Sequence, residues 1–210
     1  MKKYVLQFVY CFLLRNLLRL IIGVKFDNTN FLQKEDSFII IANHNSHLDT
    51  IAMMASLPRK IIHKVKPVAA KDYFGRTRLQ ARFSNYFINT LLISRSTNDS
   101  SGGNPIRSMI AELDKGNSLI VFPEGTRGKP EVMQPLKKGI ALVLQERPNV
   151  KFVPAFMYGM GKSMPKGDGL ILPFTSTVCY GNPENIAVGL NKDDIIKHME
   201  ERMLELKQNN

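Results

Sequence analysis

The sequence predicts an α/β domain, a single unit with a largely parallel central sheet flanked by helices and preceded by an N-terminal helix of different character. Three observations predict it. Short apolar, β-branched runs recur at 37–42, 118–122 and 151–158. Segments of helical spacing stand between and after them, and polar loops containing glycine or proline separate the two kinds. The chain has 210 residues, enough for one domain with a sizeable core, and its 44% hydrophobic content excludes a disordered polymer.

Each element has its own justification. Tyr4 to Leu14 is an uncharged, mostly apolar run, followed by Arg15, Arg19 and a further apolar stretch at 20–22. It is shorter than the about 20 apolar residues of a clean transmembrane helix. Arginine follows it where a secretory signal would carry small residues. An interfacial helix that snorkels its arginines toward headgroups fits best, the alternative being a core helix of the domain. The chain thus divides into a membrane-associating helix over 1–26 and a domain over 27–210.

Residues 37–42 read as a buried strand, and 47–56 as a short helix stopped at Leu57-Pro58. A second strand is expected at 67–70 and a surface helix of mixed arginines and aromatics at 74–92. Asn104-Pro105 starts a helix and Gly116 ends it. Strands follow at 118–122, 151–158 and 175–180. The tail is a helix with Ile195, Ile196, Met199, Met203 and Leu206 on one face and Asp193 and Asp194 near its start. In a sheet of this kind, chemistry gathers in loops at the carboxyl ends of strands.

The net charge of +11 is unevenly spread. Residues 1–26 carry +5, residues 57–82 carry +7, and the remainder is -1. One face is therefore suited to an anionic surface, either phospholipid headgroups or nucleic acid. The greasy N-terminal segment lacks the interleaved polar and stacking residues of a nucleic-acid groove, so no nucleic acid is expected and a membrane is. Cys11 and Cys179 are far apart and match no metal or CxxC spacing, which suits a reducing compartment.

Two loops carry chemistry. His44 is followed five residues later by Asp49, with Asn43 and Ser46 beside it. An aspartate on the next turn can accept from one ring nitrogen and leave the other as a base. The second loop is Phe122-Pro123-Glu124-Gly125-Thr126-Arg127, which taken alone is also consistent with a tight turn bearing a solvated arginine. His47, with His44 and Asp49, can be drawn as a metal site, but the adjacent glutamate-arginine loop adds a cation there, and no metal is expected. Ser46 and Ser94 lie in no G-x-S-x-G elbow. His63 and His198 read as surface residues.

Together, the 43–49 and 122–127 segments closely resemble the first and third motifs of the glycerolipid acyltransferase family, in particular the bacterial 1-acylglycerol-3-phosphate acyltransferases. The resemblance runs from about residue 38 to 158 and includes Lys71 and the proline-containing strand at Val153-Pro154-Ala155. The family's second motif is altered: Asn89 and Leu92 stand where glycine and phenylalanine are usual, while Arg95 is kept.

The resemblance implies an enzyme that moves a fatty acyl group from an acyl-CoA or acyl-carrier-protein thioester to the free hydroxyl of lysophosphatidate. In it His44 would be the general base and Asp49 its orienting partner. Lys71, Arg95, Glu124, Gly125, Thr126 and Arg127 would bind substrate, the cations gripping phosphate. No cofactor beyond the acyl donor is implied, and the expected place is the cytoplasmic face of the cell membrane. Two alternatives stay open: acylation of another lyso-lipid, and a non-catalytic basic protein that binds membrane or nucleic acid.

Overall fold

In the computed structural model, which describes residues 1–71, 77, 79, 82, 84–94, 104–130, 132–163 and 172–208, the chain builds one sheet with helices on both faces. Its strands are β1 Val24–Phe26, β2 Phe38–Ala42, β3 Val65–Ala70, β4 Leu91–Ile93, β5 Ser118–Val121, β6 Lys151–Tyr158 and β7 Ser176–Tyr180. The spatial order is β1-β7-β6-β2-β5-β3-β4. From β6 to β4 all neighbours are parallel; β7 runs antiparallel to β6, and β1 runs parallel to β7. The helices are α1 Lys2–Ile22, α2 Asp49–Ser56, α3 Pro105–Asp114, α4 Gly139–Glu146, α5 Met160–Ser163 and α6 Lys192–Gln208.

β2 lies at the centre, and all five of its residues are buried. Successive side chains of a strand point to opposite faces. Phe38, Ile40 and Ala42 therefore pack with α1 and α2, while Ile39 and Ile41 pack with α3, α4 and α6. A strand covered on both sides reads as a continuous apolar run, which is why 37–42 is recognisable in the sequence. The α3 start is also as expected: Pro105 is its first residue, and the Asn104 side chain accepts from the Ile106 amide at 2.9 Å.

Several elements differ from expectation. The helix expected over 74–92 does not extend to its end: a π-type turn at Ser84–Ile88 gives way to β4. Asn89 has φ 60°, which breaks any helix, and its side chain donates to the carbonyls of His63 and Val65 at 3.1 and 2.8 Å. Much of 72–83 lies outside the described residues. Besides this helix, the strand β1 and the helices α4 and α5 were not expected.

α1 is longer than its uncharged run, continuing through both arginines until Gly23 takes φ 82°. By length and composition it is long and apolar enough to cross a membrane. One side nevertheless packs on the domain through Leu6, Tyr10, Leu18 and Ile22, while Tyr4, Phe8, Phe12, Leu13, Leu17, Leu20 and Ile21 are exposed.

Of its two arginines, Arg19 is exposed as expected, whereas Arg15 turns inward. Arg15 donates from Nε to the Ala55 carbonyl at 2.5 Å and from Nη2 to the Leu57 carbonyl at 2.6 Å. These are the carbonyls a helix leaves unpaired at its C-terminus, where a cation also meets the negative end of the dipole. Arg19 lies over the Phe26 ring, 5.6 Å from its centroid.

Candidate active site

β2 and β5 are adjacent and parallel, so the loops leaving their C-terminal ends share one edge of the sheet. Asn43 continues the link between β2 and β6 with its side chain. Its Oδ1 accepts from the Met157 amide at 2.7 Å, and its Nδ2 donates to the Met157 carbonyl at 3.0 Å. Nδ2 also donates to Asn45 Oδ1 at 2.8 Å. Asn45 in turn donates to the carbonyls of Lys129 and Val132, at 2.5 and 3.1 Å, tying the first loop to the second.

Between these two asparagines stands His44. Asp49, fully buried in the first turn of α2, places one oxygen, Oδ2, against three donors: His44 Nδ1 at 2.8 Å, the Asn45 amide at 2.7 Å and the Ser46 amide at 2.8 Å. A carboxylate can only accept, so Nδ1 carries the proton and Nε2 is the ring's basic nitrogen. The ring stacks on Phe122, with centroids 4.4 Å apart and planes 20° apart. The side chain retains 20% exposure, enough to meet a substrate.

The second loop clasps the backbone of the same residue. The His44 amide donates to Glu124 Oε1 at 2.9 Å, and the Gly128 amide donates to the His44 carbonyl at 2.8 Å. Glu124 is buried, and its Oε2 has no hydrogen-bond partner among the described residues. Burial pushes its carboxyl up to about 7, helped by the charge of Asp49 and opposed by the amides of His44 and Gln134. One oxygen thus holds the histidine loop.

Arg127 is not merely solvated: its guanidinium contacts Nδ1 of His47. His47 is held below the usual histidine range, first by burial, then by the Arg127 and His44 charges. It faces Arg127 as a neutral acceptor. Among the described residues no three His, Cys, Asp or Glu side chains come together to hold a metal.

A family model described as Acyltransferase matches residues 23–158, about two thirds of the chain. The chain belongs to the acyltransferase family. Among its relatives is the 1-acyl-sn-glycerol-3-phosphate acyltransferase of Cocos nucifera, 32% identical over 77% of this chain and 48% of that one. The corresponding Bacillus subtilis enzyme is 26% identical over 65% of this chain and 63% of that one. A putative enzyme of the same name from Caenorhabditis elegans is 28% identical over 63% and 48%. The chain spans about half the length of the first of these curated relatives. In fold it resembles the crystal structure of the 1-acyl-sn-glycerophosphate acyltransferase PlsC from Thermotoga maritima, with a TM-score of 0.78 at 20% identity, covering 99% of this chain and 80% of that one.

Within this family member the expected site residues are placed as follows. His44, Asp49, Glu124, Gly125, Thr126 and Arg127 come together at the ends of β2 and β5, and Thr126 is exposed. Lys71 directly follows β3, on the same edge of the sheet and half-buried. Arg95 lies outside the described residues. Ser46 is fully buried, its hydroxyl accepting from the Leu48 amide at 3.2 Å. His198 is only partly exposed, with Nε2 3.1 Å from Glu184 Oε2. Sequence reasoning passed over the bridging of Asn43 to β6 and the Phe122 stack.

Proposed function

We propose that the chain transfers a fatty acyl group from an acyl thioester, on coenzyme A or an acyl carrier protein, to the free hydroxyl of lysophosphatidate, giving phosphatidate. The observation that carries this is the His44–Asp49 pair, with its Nδ1 engaged at 2.8 Å and a loop bearing Arg127 wrapped around the same residue. The names of the relatives support the acceptor.

His44 Nε2 takes the hydroxyl proton as the oxygen attacks the thioester carbonyl. The tetrahedral intermediate collapses, the carbon–sulfur bond breaks, and the departing thiolate receives the proton from the imidazolium. Asp49 holds the ring and stabilises its charged form. Base assistance of this kind contributes about 10² to 10⁴ in rate. Arg127, with Lys71 and Arg95, grips the acceptor phosphate, since guanidinium matches phosphate with paired hydrogen bonds. Glu124 and Gly125 shape the loop that presents them, and Thr126 adds a hydroxyl. The exposed apolar face of α1 rests on the membrane, at its cytoplasmic side, where the lyso-lipid resides and the acyl donor arrives from solution.

The test crosses a panel of lyso-lipid acceptors with acyl-CoA and acyl-carrier-protein donors, using radiolabelled acyl groups. Lysophosphatidate should be the preferred acceptor, and His44→Ala should lose at least 99% of turnover. Transfer only to other lyso-lipids would refute the acceptor, and more than a tenth of wild-type activity in the variant would refute the base.

A further inference from the structure

Lys137 lies in no motif, yet the fold brings it to the second loop. Its backbone amide donates to the Pro123 carbonyl at 2.9 Å, pinning the segment that enters α4 beside Glu124. Its side chain then runs across the turn. Gly125 has φ 76°, and a Cβ built on it would stand 2.6 Å from both Cε and Nζ of Lys137. The end of the lysine therefore lies directly over the turn, which is glycine because its backbone is left-handed.

Charge gives the second indication. The next residue, Lys138, reaches Asp193 at 2.6 Å, an ordinary exposed ion pair. Lys137, although exposed, has no ion-pair or hydrogen-bond partner for its ammonium among the described residues. An ammonium laid over a glycine turn, on the loop that presents Thr126 and Arg127, is arranged for an anion.

We propose that Lys137 binds a substrate phosphate alongside Arg127. This rests on the acyl-transfer function above. The shared chemistry is a phosphate group, belonging either to the phosphomonoester of the acceptor or to the donor's coenzyme.

The experiment measures kcat and KM for lysophosphatidate and for acyl-CoA with the purified full chain in mixed micelles. Lys137→Ala should raise one KM about tenfold, equivalent to about 1.4 kcal/mol, with kcat within about twofold. Lys137→Arg should restore most of it. A raised lysophosphatidate KM assigns the acceptor's phosphate, and a raised acyl-CoA KM the donor's. Unchanged KM for both, or an equal rise in Lys138→Ala, overturns the proposal.

A readout independent of turnover is protection from thermal unfolding by inorganic phosphate. The protection should be at least halved in Lys137→Ala, and equal protection in both proteins, including none in either, overturns the proposal. Absence of product from the wild type would instead refute the acyl-transfer function and leave this comparison to decide on Lys137 alone.

Discussion

Replacing Asp49 by asparagine separates its structural from its electrostatic role. Asp49 Oδ2 accepts from His44 Nδ1, the Asn45 amide and the Ser46 amide at 2.8, 2.7 and 2.8 Å. A carboxamide oxygen at that place accepts the same three, so the loop and the start of α2 persist. The amide nitrogen falls where Oδ1 now has no partner among the described residues. The unpaired buried amide costs stability while loss of a buried charge offsets part of that, so the melting temperature should fall by no more than about 5 °C.

What disappears is the negative charge that, in the proposed mechanism, faces the imidazolium in the transition state. Two unit charges about 4 Å apart attract by about 4 kcal/mol at an effective dielectric of 20. Solvent reaches the His44 side chain, 20% exposed, so somewhat more than half of that interaction is retained. At about 1.4 kcal/mol per decade, kcat should fall about 100-fold while KM for lysophosphatidate stays within about twofold. The assay is steady-state transfer from radiolabelled acyl-CoA in mixed micelles, with thermal melts on the same preparations. More than a third of wild-type kcat in a variant that still melts within that range would refute the role given to the carboxylate.

Further outcomes follow for stability and for the membrane. Burial raises the Glu124 carboxyl to about 7, well above its unfolded value, so the folded state keeps its proton longer and native stability falls as pH rises from about 4.5 through 7. Relative to wild type, Glu124→Gln should therefore gain up to about 2 kcal/mol between pH 5 and pH 8. A stability difference that stays constant across that range in thermal melts would show that Glu124 is not held protonated. Phe12 and Leu20 are 60% and 85% exposed and contribute little to folding. Changing both to serine should leave the melt nearly unaltered yet lower liposome pelleting at least tenfold, since each apolar side chain inserted is worth about 1.5–3 kcal/mol. Undiminished pelleting would place the membrane contact elsewhere.

The central strand and its two motif loops were legible because each announces itself locally. Phe38 to Ala42 is apolar on both faces, as a covered strand must be, and His44 with Asp49 sits on the turn that follows. The juxtaposition of His44 with Glu124, 80 residues apart, followed from placing both loops at strand C-termini, and the parallel pairing of β2 with β5 supplies it. What was not legible depends on partners. Leu91 to Ile93 is a strand only because β3 offers it an edge and Asn89 adopts φ 60°. The sequence shows Arg15 as a charge in an apolar run, equally suited to headgroups or to carbonyls of a neighbouring helix. The backbone of α2 decides between them.

That attachment of Arg15 makes α2 a strut. Its first residue, Asp49, fixes the imidazole, and its far end is bolted to the N-terminal helix. Eight residues of α-helix span about 12 Å. A roll of α1 against the domain would strip Arg15 from the Ala55 and Leu57 carbonyls, so the N-terminal helix and the imidazole are joined through one rigid rod. The distance between the N-terminal helix and the imidazole is thus a built-in dimension of the molecule, like the length of a table leg.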